Sequence, residues 1–399
     1  MNYFVLPKII NNIEKLTIIK KNINENNTEC YISKTLNKYL TEIKHQINDY
    51  INDWDLYKKY TNPYEYIHSI VPKNGYSIAK LKPLSRSFYK MIEICHIFEF
   101  QNLLDDDFKS FHLAEGPGGF IEALVFLKKL NNNNNNINNA NNNKTAVHYG
   151  MTLQSQDIDV PSWKKSQDFL KKNPNVIIEN GPSGTGDLFK VENLHYCYQC
   201  YHNTMDMITG DGGFDFSVDY DNQEHSSIKL IFAQICFAIL MQKNGGVFIL
   251  KIFDIFTRPT VELLFLLVNL YDTVYIVKPY TSRIANSEKY IVCNGFKSIS
   301  SDFIENIFKI FEEIMTTDKD SSLTHEIFGF LDIEMPYLFI NKIEEYNAIF
   351  GQQQMENINN TINKIINKDQ FNDEYIKANI QKCILWCQKH EIPYHDDLS

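Results

Sequence analysis

The sequence predicts an α/β protein: a mostly parallel sheet with helices on both faces and an antiparallel last strand, set between helical N- and C-terminal extensions. Three observations carry this expectation. Between residues 76 and 300, short apolar runs alternate with helix-like patterns, as successive βαβ units require. A glycine turn, Gly116-Pro117-Gly118-Gly119, stands between one such run and the helix pattern that follows it. Outside this window the strand signals give way to apolar residues at helical spacing.

Residues 1–75 are rich in Asn, Ile, Lys and Tyr, and Tyr39, Leu40, Ile43, Ile47 and Tyr50 recur at helical spacing, so this region is read as helical. In the central region, 76–300, FHLAEG is a strand entering the turn and GFIEALVFLKKL is a helix. VHYGMTL, NVIIENG and MDMITGD read as strands, residues 228–241 as a helix, and VFILKIF, TVYIVKP and KYIVCNGF as strands. The connection 279–287 is short enough for a hairpin, so the last strand runs antiparallel to its neighbour. Beyond residue 300 the strand signals stop, and 301–399 reads as a helical C-terminal region. Residues 131–143 are almost all asparagine and are read as a disordered insertion. That insertion leaves the N-terminal edge of the sheet, whereas ligands of open α/β sheets bind at the opposite edge.

A chain of 399 residues accommodates one large α/β domain with helical additions, or two domains. Its 44% hydrophobic and 13% aromatic content fits a packed interior. The longest apolar run, 261–270, is too short to span a membrane, and the N-terminus lacks signal-peptide features. A cytosolic or nuclear protein is expected. The eight cysteines are scattered and read as reduced, mostly buried thiols. A net charge of −10 argues against tight, nonspecific binding to long nucleic acid, while leaving room for a local basic groove.

The chemistry centres first on Glu115, Gly116, Pro117, Gly118, Gly119 and Phe120. Glycines at a strand–helix turn permit positive φ and close approach of a ligand. The N-terminus of the following helix offers N–H groups to a carboxylate. The methionine moiety of S-adenosylmethionine carries such a carboxylate, which makes these six residues candidate cofactor contacts. A phosphate loop is a poor alternative because no Gly-Lys-Ser/Thr follows, and the spacing differs from a dinucleotide fingerprint. A tight turn with no ligand is the plainer alternative. Asp211 and Lys251 close two strands and Glu288 opens the last one, so the predicted topology brings all three to one rim. Each alone reads as a solvated strand-end charge; together, at the ligand edge, they read as an active site.

The chain resembles the FtsJ-like 2′-O-ribose methyltransferases, and among them the cap-specific mRNA branch of animals and large DNA viruses. The matching segments begin at SRSFYKM (85–91), AEGPGGF (114–120), GMTL (150–153) and GTGDL (184–188). They continue through GDGGFDFS (210–217), LKIFDIFT (250–257) and KPYTSRIANSEKYIVCNGFK (278–297), so that about residues 80–300 are covered. The resemblance implies a Rossmann-like sheet, S-adenosyl-L-methionine as cofactor, and a catalytic tetrad of Lys90, Asp211, Lys251 and Glu288. It further implies that Asp187 contacts the cofactor. The implied reaction is methylation of the first transcribed nucleotide of capped mRNA. The implied partners are capped mRNA or other RNA and other mRNA-capping enzymes, with no membrane, inside a cell or, for a viral protein, inside its host. Ribosomal or transfer RNA as substrate, and a noncatalytic subunit that binds RNA or a capping partner, are the rival readings.

The tetrad also makes sense as chemistry. A ribose hydroxyl is a weak nucleophile, and a lysine serves as its base only if its pKa falls from about 10.4 by desolvation or a nearby cation. Lys90 is expected to supply that cation to Lys251, with Asp211 and Glu288 orienting the two amines. A sulfonium departs as a neutral thioether, so no metal is called for. His195, Cys197, Cys200 and His202 have the start of a zinc-site spacing, but no second cysteine pair at finger spacing accompanies them, and a structural helix or loop is expected. Arg283 reads equally as a phosphate contact or as a surface arginine.

Overall fold

Strand runs as apolar as VFIL and YIVC need cover on both faces, and the chain supplies it with helices. A computed structural model describes residues 3–9, 13, 15–22, 30–134, 146–155, 160–213, 223–316, 325–368 and 373–396. In chain order, β1 (Tyr3–Val5) and β2 (Ile19–Asn22) precede α1 (Lys34–Gln46), α2 (Ile51–Tyr60) and α3 (Ser87–Ile97). The central units are β3 (Lys109–Leu113), α4 (Gly119–Asn134), β4 (Val147–Met151), α5 (Gln167–Lys172), β5 (Val176–Ile178), α6 (Val191–Tyr201) and β6 (Met205–Gly210). They continue through α7 (Gln223–Met241), β7 (Gln242–Ile252), α8 (Arg258–Leu270), β8 (Tyr271–Val277) and β9 (Lys289–Phe296). The C-terminal part holds α9 (Ser301–Thr316), β10 (His325–Gly329), α10 (Tyr337–Ile366) and α11 (Asp373–Lys389).

Eight strands form one sheet in the order β1-β8-β9-β7-β6-β3-β4-β5. Strands β3 to β7 are mutually parallel, and β9 runs antiparallel to both β7 and β8, as the hairpin argument expects. Register does the positioning. Leu113, Gly210 and Leu250 lie abreast in β3, β6 and β7, so Ala114, Asp211 and Lys251 follow side by side at one edge. Ile252 pairs with Lys289, which brings Glu288, the residue before β9, to the same edge.

Two features of the extensions differ from the sequence expectation. The N-terminal region is not helical throughout, because β1 adds antiparallel to β8 at the sheet edge and β2 pairs with β10. Strand signals therefore do not stop at residue 300. Pieces of three to five residues carry too little periodicity to be read, and here they gain order by pairing with partners far away in sequence. The asparagine run is also divided: residues 131–134 complete α4, and 135–143 lie outside the described residues.

Helix α7 is the centre of the interior. It is long and apolar enough to cross a membrane by length and composition, yet 83% of it is buried within the protein, as for a core helix. The run 261–270, expected to be the longest apolar stretch, is instead the body of the shorter α8. Helix α10 packs on α1, α2 and the turn between them through Ile47, Trp54, Ile358, Ile362 and Ile365.

The α4–β4 connection leaves the edge opposite Asp211 and Lys251. Replacing residues 135–143 by a shorter Gly-Ser linker is expected to shift the thermal midpoint by less than about 2 °C, since halving a loop changes closure entropy by about 0.6 kcal/mol. A scanning-fluorimetry shift several times larger would mean that the segment packs on the domain.

Candidate active site

The C-terminal strand edge opens into a cavity of about 970 Å³. Following the strand order, its wall passes from Glu288 at β9 through Lys251 at β7 and Asp211 at β6 to Gly116 and Pro117 after β3. It continues to Thr152 and Leu153 after β4, and to Asp187 and Phe189 beyond β5. Further wall residues come from outside the sheet, among them Lys44, Ile47, Trp54 and Lys58 from the N-terminal region and Gln354 from α10.

The glycine turn divides its work among its residues. Gly118 has φ of 104°, a conformation a side chain makes costly. A Cβ on Gly119 would lie 2.2 Å from both Ser85 Oγ and Ser87 Oγ, so the turn sits hard against the start of α3. Of the six residues of the turn expected to contact a cofactor, Gly116 and Pro117 line the cavity, and Glu115, Gly118, Gly119 and Phe120 lie behind them in the turn. Glu115 Oε1 accepts the Phe120 N–H at 2.6 Å, and the Glu115 carbonyl accepts the Gly118 N–H at 2.7 Å. The Phe120 N–H, in the first turn of α4, and the Gly118 N–H just before it are thus used within the turn. Glu115 is 2% exposed, its Oε2 has no hydrogen-bond partner, and burial followed by the charge of Asp211 pushes its carboxyl well up.

Lys90, Asp211, Lys251 and Glu288 come together as two ion pairs, each side chain only 12–16% exposed. Lys90 Nζ lies 2.6 Å from Glu288 Oε1. Lys251 Nζ lies 3.2 Å from Asp211 Oδ1 and donates to the Asp211 carbonyl at 2.7 Å. Lys90 reaches the site through Glu288 and does not itself line the cavity. Burial works to raise the Glu288 carboxyl, but Lys90 and Lys251 outweigh it and hold it far below the usual carboxylate range. The expected lowering of Lys251 is not found. Burial is the largest single influence and acts downward on its ammonium, but Asp211 and Glu288 together outweigh it, and the net direction is up.

Several neighbours were not singled out from sequence. The Tyr290 hydroxyl donates to Asp211 Oδ1 at 3.2 Å, and the Ser282 hydroxyl donates to Glu288 Oε1 at 3.0 Å. Lys278 donates to the Glu288 carbonyl at 2.7 Å, and burial pushes its amine down to about 7. All three lie within the segment 278–297, whose density of hydroxyls and amines was the available signal. Arg86, one helical turn before Lys90, also lines the cavity, and its Nε has no partner. Arg283 lines the cavity but is no loose surface arginine, since its Nε and Nη2 donate to Glu65 at 2.9 and 2.6 Å. His195, Cys197 and Cys200 lie on α6, where Cys197 is buried and Cys200 exposed. Among the described residues no group of three His, Cys, Asp or Glu is placed to hold a metal.

A sequence profile described as FtsJ-like methyltransferase matches residues 83–296, more than half of the chain. Cap-specific mRNA (nucleoside-2'-O-)-methyltransferase 1 of Trypanosoma brucei brucei is 38% identical over 135 residues, 33% of this chain and 36% of its own length. The protein of the same name from Mus musculus is 29% identical over 288 residues, 66% of this chain and 31% of its own. For Homo sapiens the figures are 31% over 223 residues, 53% and 24%. The chain thus spans about a third or less of the length of these relatives.

The close seat of the turn on α3 makes a specific expectation. Gly119→Ala must displace Ser85, Ser87 or the Phe88 backbone, and overpacking of this kind costs about 1–3 kcal/mol. Urea unfolding of the variant should register that loss; unchanged stability would show that the turn and α3 separate freely.

Proposed function

The chain belongs to the FtsJ-like methyltransferase family, and we propose that it transfers a methyl group from S-adenosylmethionine to a ribose 2′-hydroxyl of RNA, that of the first transcribed nucleotide of capped mRNA. The observation that carries the reading is the pairing of Lys90 with Glu288 and Lys251 with Asp211 at the rim of one cavity. The β3–β5 half of that rim suits the cofactor. Leu153, Val160, Leu188 and Phe189 offer apolar cover for a base, and the half-buried carboxylate of Asp187 beside them is an acceptor for ribose hydroxyls. Once bound, S-adenosylmethionine supplies a methyl group already activated on a sulfonium.

The rest falls to the protein. Lys251 is the proposed base, and Asp211 fixes its amine from two directions, by carboxylate and by carbonyl. Tyr290 in turn fixes the Asp211 carboxylate. The Lys90–Glu288 pair keeps a second cation close by, where it favours negative charge developing on the ribose oxygen. Proton removal by a placed base contributes about 10²–10⁴-fold, with alignment of the reacting atoms supplying much of the remainder. The outer wall suits a short RNA end. Its cations Lys44, Lys58 and Arg283 are already paired with Asp254, Asp55 and Glu65, which limits the charge left for a long phosphate backbone.

Lys251→Ala is expected to abolish methyl transfer while leaving S-adenosylmethionine binding intact by calorimetry. Loss of both would make Lys251 structural. The base must be neutral to act, and its neighbours hold the ammonium above the ordinary lysine value. Activity should therefore rise with pH, approaching about tenfold per unit between about pH 7 and pH 9. Lys251→Arg, which cannot lose its proton there, should stay inactive throughout; a flat wild-type profile would assign proton removal elsewhere.

The substrate is tested with tritiated methyl transfer to cap-0 RNA against the same RNA uncapped, followed by nuclease mapping. Single-stranded RNA should bind with a slope of log affinity against log salt equivalent to about two to four phosphates, at about −0.7 each. A steep slope that grows with RNA length would favour ribosomal or transfer RNA and remove the cap assignment.

A further inference from the structure

Glu288 stands just before β9, so the loop 279–287 sets where its carboxylate points. That loop is gripped by two buried glutamates. Glu93, on the same helix as Lys90, accepts the Tyr280 N–H at 2.7 Å and the Thr281 N–H at 3.2 Å, and also the indole N–H of Trp386 from α11 at 3.3 Å. Glu65 lies outside the family-matched segment, in the N-terminal extension, and is fully buried. Its carboxylate takes both N–H groups of the Arg283 fork, together with Asn62 Nδ2 and Ser69 Oγ, each at 2.8 Å. His68 and Arg86 approach it at 3.5 and 3.9 Å.

Glu65 therefore touches both sides of the Lys90–Glu288 pair. Arg86 caps α3, one turn before Lys90, and Arg283 follows Ser282, whose hydroxyl donates to Glu288. Asn62 and Ser69 alone would satisfy a neutral side chain. A carboxylate between two guanidinium groups has a different consequence, because it fixes the separation of helix and loop by charge as well as by shape.

We propose that Glu65 is a positioning residue for methyl transfer, holding the Glu288 loop against the Lys90 helix through Arg283 and Arg86. The inference rests on the reading of this rim as the methyl-transfer site. In the full chain, Glu65→Gln should lower kcat by about tenfold to a hundredfold, the scale of an ångström-level misplacement, while S-adenosylmethionine affinity stays within about twofold. Glu65→Asp, which keeps the charge, should recover part of the loss. Ser282→Ala should lower kcat in the wild-type background and cost little more in the Glu65→Gln background, because both act on the same carboxylate. If Glu65→Gln folds poorly, Arg283→Lys tests the same contact from the other side.

One readout needs no RNA. Freed from Glu288, the Lys90 amine should be acylated by acetic anhydride about threefold faster or more in Glu65→Gln, measured by peptide mass spectrometry against exposed Lys59 as reference. A kcat within twofold of wild type overturns the inference. So does a parallel fall of kcat, cofactor affinity and thermal midpoint with Lys90 labelling unchanged. Absence of methyl transfer by the wild-type chain would overturn the functional reading alone, and the labelling ratio would then decide the role of Glu65.

Discussion

A lysine and a carboxylate removed from water are tolerated as partners and punished as singles, since an unmatched buried charge costs several kcal/mol. The rim of this sheet carries two such couples, Lys90 with Glu288 and Lys251 with Asp211. Much of the architecture follows from bringing the four together. Parallel register between β6 and β7 places Asp211 beside Lys251, and the antiparallel return of β9 delivers Glu288 to the same edge. A one-residue slip in β7 would turn Lys251 to the other face of the sheet.

The loops around that edge share one device. Glu93 fastens 280–281, Glu115 fastens the turn into α4, Glu224 accepts the N–H groups of Phe256 and Thr257, and Glu262 accepts those of Phe330 and Leu331. Each is a buried carboxylate closing a loop by backbone hydrogen bonds. Buried backbone groups need partners, and a side chain from another element both satisfies them and fixes the loop in place. Glu262 also binds the Arg258 guanidinium, whereas the contacts of Glu65 given above are all to side chains.

The sheet and its rim were legible in sequence because their signals are periodic or stereochemical. Strand runs alternate with helices, a glycine marks the positive φ of Gly118, and a short connection dictates the return of β9. Asp211, Lys251 and Glu288 could be placed because strand ends locate side chains without knowledge of packing. What escaped depends on packing. Three short strands are ordered by partners elsewhere in the chain, Glu65 carries no local pattern, and Arg283 looked free until its partner more than two hundred residues away was visible. The direction of Lys251 was missed for a related reason. Sequence identified the charges around it but not that Asp211 and Glu288 together outweigh burial.

The seating of α10 on α1 and α2 bears on biosynthesis. Ile47 and Trp54 find Ile358, Ile362 and Ile365 some three hundred residues later, and the loop-gripping Glu93 waits 293 residues for Trp386. During vectorial translation the sheet can close well before these partners leave the ribosome. The amphipathic surface of α1 and α2 then stands uncovered through most of synthesis, a natural client for a chaperone. The outer wall of the cavity, with Gln354 in it, is completed last. A nascent chain could thus own a finished sheet and lack the chamber that gives its lysines a purpose.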